Sequence, residues 1–312
     1  MRIVSLVPAA TEIVAVLGQL DRLVGVSHEC DYPPEAGARP RVTICPIHEA
    51  GLIHETGLAS AQVDRWVRET LASTGTLYTM DEPLLRRLRP DVILTQRLCD
   101  VCAVGFGSVT ALAATLPGPP QVVSLEPSCL ADVFDNIRHV ARVLEVPDRG
   151  DAALLALAER VAAVQARLSS VSHRPTCLLM EWIDPPFSSG HWGPELIELA
   201  GGTEPLGLEG KPSTRIAWQN VLKARPDVIV LACCGYRPHR TLDDLHILQQ
   251  YPGWGDLPAV RSGRVYVADG SAYFNRPGPR LVDSLEILAE LIHPALFAGV
   301  FPNRGVLCVP TA

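Results

Sequence analysis

Short apolar runs alternate with amphipathic helical stretches along most of this chain. Residues 3–7, 92–95 and 228–232 are almost continuously apolar, which is typical of strands buried on both faces of a parallel sheet. Between such runs, apolar residues recur at the three-to-four-residue spacing of a helix face. Strands that alternate with helices predict an α/β fold with parallel sheets.

A long helical stretch near the middle organises the pattern. Residues 132–145 and 151–168 carry apolar residues at helical spacing, and Pro-Asp-Arg-Gly at 147–150 interrupts them. The phrase Arg-Pro-Asp-Val-Ile stands on both sides of this stretch, at 89–93 and 225–229. We therefore expect two similar βα lobes joined by a long rigid helix. The predicted divisions are an N-terminal lobe, a connecting strut, a C-terminal lobe and a peripheral tail, at residues 1–130, 131–172, 173–293 and 294–312.

Composition and charge narrow the function classes. The 312 residues are 47% hydrophobic and 20% charged, as in ordinary globular proteins. A formal net charge of −7 argues against a nucleic-acid partner. No apolar stretch reaches the roughly 20 residues of a transmembrane helix, so no membrane insertion is expected.

The amino terminus and the cysteines suggest a compartment. Residues 2–8 lead directly into the first predicted strand, without the apolar core and cleavage site of a secretory signal. Nine cysteines are an odd number without the spacing of a disulfide framework. The sequence therefore predicts a cytoplasmic protein with reduced thiols, or a periplasmic one if a leader is missing from this chain.

Large aromatic residues gather where the predicted strands of the C-terminal lobe end. Ligands of parallel α/β sheets bind beyond the carboxyl ends of the strands, and simple turns contain few large apolar rings. The exit residues predict an aromatic surface for a large flat ligand, with local packing as the alternative. They are Trp182, Phe187, Trp192, Tyr236, Tyr273 and Phe274.

Cysteine and histidine residues in the exits permit metal chemistry. Cys99 and Cys102 have the spacing of a metal or redox pair, and Cys30 follows another strand. His28 and His191 also lie in exits, where a histidine can ligate zinc, iron or a cobalt centre. The alternatives are buried thiols that pack the loops and histidines that bond to neighbouring loops.

Sequence motifs of common enzymes are missing. The chain contains no nucleophile elbow, phosphate-binding loop or dinucleotide fingerprint, so no catalytic residue is assigned. Glu29, Glu126 and Glu181 are exit carboxylates with acid–base potential. Arg276 and Arg280 flank a Pro-Gly-Pro turn, where they can hold an anionic group or form a solvated helix end.

The loops resemble those of a known family. Residues 5–12 and 21–26 resemble the opening of the helical-backbone (class III) substrate-binding proteins, the cobalamin- and iron-chelate-binding components of ABC importers. A branch of that family labelled cobalamin-binding is more similar still, over residues 2–293. Its hallmarks resemble residues 28–34, 98–104, 181–187, 190–192 and 273–280.

This resemblance implies a cobalamin, another corrinoid or a related metal–tetrapyrrole held in the cleft between the lobes, without covalent chemistry. A metal-dependent zinc or iron enzyme on the same fold is the alternative, using Cys30, Cys99, Cys102, His28 or His191. Family members commonly dock to their importer through an acidic residue on each lobe, and Gln219 stands where one is expected. That departure argues against docking to an ABC transporter. The predicted ligand-binding set is Pro8, His28, Glu29, Tyr32, Cys99, Asp100, Cys102, Glu126, Glu181, Trp182, Phe187, His191, Trp192, Tyr236, Tyr273, Phe274, Asn275, Arg276 and Arg280.

Overall fold

A computed structural model describes residues 1–45, 58–97 and 104–309. The chain divides into two compact units. Unit 1 comprises Met1–Thr56, Arg65–Pro127 and Ala131–Ala156, and unit 2 comprises Gly57–Asp64, Ser128–Leu130 and Leu157–Ala312.

The described strands are short. They are β1 (Ile3–Ser5), β2 (Leu23–Val26), β3 (Thr43–Ile44), β4 (Thr79–Met80), β5 (Val92–Thr95), β6 (Gln121–Ser124), β7 (Cys177–Trp182), β8 (Phe187–Ser188), β9 (Gly190–His191), β10 (Leu208–Glu209), β11 (Val228–Leu231), β12 (Val265–Val267) and β13 (Leu307–Cys308).

Helices follow most of the strands. The described α-helices are Pro8–Val16, Pro34–Gly37, Ser60–Thr74, Glu82–Leu88, Phe106–Thr115, Leu130–Val143, Pro147–Leu168, Gly193–Leu199, Trp218–Ala224, Pro238–Asp243, Leu245–Gln249, Pro258–Arg261, Leu281–Ile292 and Pro294–Phe297. None of these helices is both long enough and apolar enough to cross a membrane.

Unit 1 contains a four-stranded parallel sheet in the order β2-β1-β5-β6. Every residue of β5 is buried, as the continuous apolar run predicts. A proline at the first position suits the helix after β1, because that position has no intrahelical N–H bond to lose. Asp81 caps the helix before β5 by accepting a 2.9 Å hydrogen bond from Leu84 N.

Unit 2 contains a five-stranded sheet in the order β13-β12-β11-β7-β8. Its three inner strands are parallel, and the edge strands β8 and β13 are antiparallel to their neighbours. The prediction of two α/β units with parallel sheets is confirmed. The antiparallel edge strands β8 and β13 were not predicted, because a two-residue strand contains too few positions to show an alternating pattern.

The central helical stretch differs from its prediction at the interruption. One helix ends at Val143 and the next begins at Pro147, so the Pro-Asp-Arg-Gly run starts the second helix and does not break it. Proline fits the first turn of a helix because its missing N–H would be unpaired there. The division between the two units falls within this second helix, after Ala156.

The carboxyl-terminal residues are not the peripheral tail that the sequence suggests. β13 pairs with β12 at the sheet edge, and Phe297 is fully buried. Arg304 is 9% exposed and forms ion pairs with Asp283 and Glu286 of the Leu281–Ile292 helix. Residues 294–309 therefore complete the fold of unit 2.

Candidate functional site

In unit 2, the loops after β7 and β11 contact each other. Glu181, near the end of β7, accepts a 3.0 Å hydrogen bond from Cys234 N through its backbone carbonyl. The ring of Trp182 lies 4.8 Å from the ring of Tyr236, and its indole N–H donates to Asp184 O at 3.1 Å. The predicted exit residues Glu181, Trp182 and Tyr236 are thus brought together.

Tyr236 itself is a packing residue in this structure. It is 1% exposed, the Arg240 guanidinium lies 4.4 Å from its ring centre, and Arg240 Nη2 donates to its hydroxyl at 3.2 Å. Burial raises the pKa of the Tyr236 hydroxyl above its ordinary value. This buried ring packs against Trp182 and limits the movement of the indole.

The exit of β12 packs against the exit of β11. Ser271 N donates to Tyr236 O at 3.2 Å. A β-carbon on Gly270 would lie 2.1 Å from Cys233 O, so this close approach requires glycine. The turn Gly270–Phe274 is fixed by Asp269, which accepts a 2.7 Å bond from Ala272 N.

Residues 273–280 differ in their exposure. Phe274 is buried, and its carbonyl accepts a 2.8 Å hydrogen bond from the Trp192 indole. With its NH₂ group facing inward, Asn275 donates to Ala232 O and Gly270 O, which makes its role structural. Arg276 is 5% exposed and donates to Ser271 Oγ at 3.3 Å. Tyr273 stays partly exposed, with the Arg280 guanidinium 5.4 Å from its ring centre.

His191 lies on a short, tightly held strand. Its φ of +47° is in the left-handed region, which is uncommon for residues other than glycine. His191 N donates to Lys211 O at 2.6 Å, and Gly210 N donates to His191 O at 2.9 Å. The imidazole lies 5.4 Å from the Trp192 ring, nearly parallel to it. Burial lowers the pKa of His191, which favours the neutral imidazole at neutral pH.

Two carboxyl groups anchor that strand. Glu181 Oε1 accepts from Gly190 N at 3.0 Å, and Glu204 Oε2 accepts from Ser189 Oγ at 3.1 Å. Glu204 also accepts three backbone N–H bonds, from Leu179, Leu206 and Gly207. Burial raises the pKa of Glu181 to about 7 and that of Glu204 to about 7, against the opposing effect of these hydrogen bonds.

We call the partly exposed aromatic and imidazole side chains of these loops the exit face. Phe187 belongs to it, with the Arg215 guanidinium 5.7 Å from its ring centre. Three further aromatic residues of these loops are buried: Tyr236 packs against Trp182, Trp192 packs against His191, and the Phe274 carbonyl accepts the Trp192 indole N–H. The members of the exit face are Trp182, Phe187, His191 and Tyr273.

The exit residues of unit 1 have contacts within their own unit. His28 Nδ1 and Thr43 Oγ1 are 2.7 Å apart, and the His28 ring lies 5.3 Å from that of Tyr78. Cys30 is fully buried, with its sulfur 3.0 Å from Thr11 Oγ1 and 3.2 Å from Ser27 Oγ. This thiol is therefore part of a buried network of hydroxyl groups.

The remaining predicted residues of unit 1 are less enclosed. Pro8 starts the first helix, and Tyr32 is 45% exposed. Glu29 Oε1 lies 3.7 Å from His28 Nε2, and Glu126 accepts a 2.8 Å bond from Ser124 Oγ. These contacts are compatible with ligand binding and do not require it, so the ligand-binding roles of the unit 1 residues stay predictions.

The predicted metal site cannot be assembled from what the structure describes. Cys99, Asp100 and Cys102 lie outside the described residues. Within residues 1–45, 58–97 and 104–309, no three His, Cys, Asp or Glu side chains are placed to hold a metal ion.

Sequence reasoning missed several residues that build these loops. Arg41 Nη1 donates to the carbonyls of Ser27, His28 and Cys30, at 2.7 to 2.9 Å, and so fixes the turn that carries them. Glu204 and Arg240 play similar parts in unit 2. They bind loop backbone far away in sequence, so local spacing gives no signal for them.

A cavity of about 420 Å³ lies elsewhere in unit 2. Its walls include Leu168, Arg174, Glu195, Glu198 and Glu209, none of which is in the predicted ligand-binding set. Arg174 already bonds to Glu198 and to Gly202 O.

Comparisons with known proteins agree with this fold. The sequence model of the family described as "Periplasmic binding protein" matches residues 3–272. The Vitamin B12-binding protein of Vibrio cholerae is 23% identical over 295 residues, which cover 91% of this chain and 86% of that protein.

Two solved structures are similar throughout. The vitamin B12-binding protein BtuF of Vibrio cholerae matches with a TM-score of 0.67 and 21% identity, over 94% of this chain and 97% of that one. The periplasmic heme-binding protein RhuT from Roseiflexus sp. RS-1 matches with a TM-score of 0.68 and 22% identity, over 95% and 98%. These likenesses confirm the two-lobed fold of the family.

Proposed function

Because this chain belongs to the periplasmic binding protein family, we propose that it binds cobalamin, another corrinoid or a related metal–tetrapyrrole, without covalent chemistry. Relatives named for vitamin B12 and for heme support a macrocycle of this kind.

The exit face is the observation that carries the proposal. Trp182, Phe187 and Tyr273 are partly exposed although water disfavours such rings. The buried Tyr236 packs against Trp182, and Arg215 and Arg280 lie beside the rings of Phe187 and Tyr273. A flat macrocycle gains contact area from preformed aromatic surfaces, without the entropy loss of ordering a mobile loop. Arg280, whose guanidinium lies beside Tyr273, suits an amide or phosphate group of the ligand.

A titration of the purified full chain tests this proposal. We expect aquocobalamin, cobinamide or hemin to bind with a dissociation constant at or below the micromolar range, by calorimetry and by quenching of tryptophan fluorescence. The absence of binding by all three would contradict the proposal.

Variants locate the ligand. Trp182→Ala and Phe187→Ala should each weaken binding about tenfold or more, because each removes a ring worth about 1.5–3 kcal/mol when buried. Phe301→Ala is the matched control, since the partly exposed Phe301 ring stacks on Phe297 and belongs to none of the exit loops. Equal losses in all three variants would argue against binding at this face.

We also propose that the chain does not dock to an ABC importer through paired acidic residues. Gln219 is exposed at the start of the Trp218–Ala224 helix, where it offers no charge. The chain can be exported with an added leader in bacteria that lack their own B12-binding receptor. Restored growth on limiting cobalamin would contradict this proposal.

A cytoplasmic location is the last part of the proposal. Seven described cysteines are free thiols, and Cys234 and Cys308 are exposed. In intact cells, a membrane-permeant maleimide should label them and an impermeant one should not. Labelling by the impermeant reagent after outer-membrane permeabilisation would place the protein in the periplasm.

A further inference from the structure

The backbone of His191 adopts the left-handed conformation, which is unfavourable for a residue with a side chain. Residues with a side chain rarely adopt a φ of +47°, and such positions persist where the surroundings enforce them, often at functional sites. Here Lys211 and Gly210 bond to both backbone polar groups of His191. Glycine would adopt this conformation without strain. The presence of a histidine therefore indicates that the position of its side chain matters.

The residues before His191 are held just as firmly. Gly190 N donates to the Glu181 carboxyl, and Ser189 Oγ donates to the Glu204 carboxyl. A β-carbon on Gly190 would lie 2.2 Å from Ser213 N, so the 211–213 segment packs directly against this backbone. The strand is therefore a fixed platform for the imidazole.

One face of the His191 imidazole packs against a fixed neighbouring ring. It stacks on Trp192, whose indole is fixed by its hydrogen bond to Phe274 O. Among the residues that the structure describes, none forms a hydrogen bond or an ion pair with either ring nitrogen of His191. By contrast, His246 Nδ1 is 2.8 Å from Asp243 O, and His293 Nε2 is 3.0 Å from Gly201 O.

Neutral histidine is the commonest metal ligand in proteins, and the stacked imidazole of His191 keeps both ring nitrogens available for such a bond. We propose that a ring nitrogen of His191 coordinates the metal of the bound corrinoid or porphyrin as an axial ligand. The nitrogen donates its lone pair to the metal and displaces one axial water molecule, with no change of oxidation state. This inference rests on the proposed function, and it assigns to Glu181 and Glu204 the role of positioning residues.

An exposed thiol offers the competing ligand. Cys234 follows β11, and its backbone N–H bonds to Glu181 O. Thiolate and imidazole ligation of cobalt or iron give different visible spectra, so the two assignments are separable.

The experiment compares ligand spectra on the full chain and its variants. Aquocobalamin and hemin should take on nitrogen-ligated spectra when they bind the wild type. Cyanocobalamin, whose axial positions are filled by cyanide and its own base, should bind without such a change. His191→Gly is the informative variant, because glycine adopts a positive φ without strain and so preserves the platform.

His191→Gly should bind aquocobalamin about tenfold more weakly, with the spectrum of the free ligand, and added imidazole should restore the nitrogen-ligated spectrum. Rescue supports coordination by His191 where it needs less imidazole than ligation of the free aquocobalamin does, since imidazole also binds the free ligand. Glu181→Ala should broaden or partly lose the shift, and Glu181→Gln, which keeps an acceptor for Gly190 N, should retain it. His246→Ala is the matched control and should behave as the wild type.

The outcomes distinguish failure of axial ligation by His191 from failure of ligand binding itself. A ligand that binds with an unshifted spectrum, or with a shift that survives in His191→Gly, overturns axial ligation and leaves the binding function standing. A thiolate spectrum lost in Cys234→Ser also overturns it. If aquocobalamin, cobinamide and hemin all fail to bind the wild type, the binding function fails, and the coordination proposal fails with it.

Discussion

At the scale of single residues, the two buried carboxyl groups of unit 2 shape the exit face without belonging to it. Glu181 and Glu204 each bind a donor on the Ser189–Gly190 backbone or side chain, and Glu204 also binds three N–H groups of other segments. Ionised groups cost free energy when they leave water, so these carboxyl groups oppose folding when charged.

This cost predicts a pH dependence of stability. An unfolded glutamate titrates near a pKa of about 4.3, whereas burial raises the pKa of Glu181 to about 7 in the folded chain. Between these values the folded chain binds more protons than the unfolded chain. The free energy of unfolding should therefore fall as the pH rises through this window, by at most about 1.4 kcal/mol per pH unit for each such group.

Glu181→Gln should make this decline shallower, because the amide does not titrate while its oxygen still accepts from Gly190 N. Urea unfolding between pH 5 and pH 8 measures the slope. Glu209→Gln, which changes an exposed glutamate of β10, should leave it unchanged. Identical slopes for wild type and Glu181→Gln would show that Glu181 titrates normally.

At the scale of elements, the repeated Arg-Pro-Asp phrase performs the same task in both units. Arg89 and Arg225 end their helices in the left-handed conformation, with φ values of +44° and +48°. Asp91 then accepts a 2.5 Å bond from Arg2 N, and Asp227 accepts a 2.9 Å bond from Thr176 N. The phrase thus joins the helix end to the start of the neighbouring strand, which explains why it occurs once in each unit.

Substitutions at the strained helix ends should increase stability, whereas most mutations decrease it. Arg89→Gly and Arg225→Gly should each raise the free energy of unfolding by about 0.5–1 kcal/mol, because glycine adopts a positive φ without steric cost. Both arginines are exposed, so little packing is lost. Arg225→Ala should give no gain, since alanine keeps the strain. Urea midpoints measure these effects, and a loss of stability in both glycine variants would contradict the argument.

The carboxyl-terminal segment is held by a charge network within unit 2. Arg160 and Arg304 both pair with Asp283 and Glu286 of the Leu281–Ile292 helix. The two carboxylates raise the pKa of Arg160 above its ordinary value, so the network stays ionised. Glu286 is 5% exposed, and loss of one arginine leaves it with incomplete compensation.

Arg304→Ala should therefore lower the free energy of unfolding by about 3 kcal/mol, within the range for a broken buried ion pair. Hydrogen exchange at Leu307 and Cys308 should accelerate, because β13 loses its neighbouring anchor. Arg167→Ala, an exposed arginine of the Pro147–Leu168 helix, is the control and should change stability by less than about 0.5 kcal/mol. Unchanged exchange in β13 would show that its pairing with β12 suffices.

At the scale of the whole molecule, the sequence predicts the repeated architecture well, and the binding roles of the exit residues stay predictions. Strands such as β5 and β11 are apolar throughout because both sheet faces are covered, and that pattern is visible in the chain. The exit loops are also visible, since they follow directly on the apolar strands in the chain.

What the sequence does not reveal is which exit side chains face solvent. Trp182 and Tyr236 look equivalent as exit aromatics, yet one is partly exposed and the other is 1% exposed behind it. The difference arises from Arg240, which packs on Tyr236 across a helix start. Likewise Glu204 reaches back to β7, a contact that separates residues by 25 positions and follows no local rule.

Ligand binding by the folded chain predicts a stability change that involves the whole molecule. A ligand that binds only the folded state stabilises it by about 2.7 kcal/mol at a free concentration 100 times its dissociation constant. For a chain of this size that corresponds to a rise in melting temperature of several degrees, on the order of 5 °C. Aquocobalamin or hemin should produce this rise in differential scanning calorimetry. The rise should be much smaller in a Trp182→Ala, Phe187→Ala double variant, because the ligand loses its aromatic contacts while the sheet remains intact. An equal rise in the double variant would show that the macrocycle binds away from the exit face.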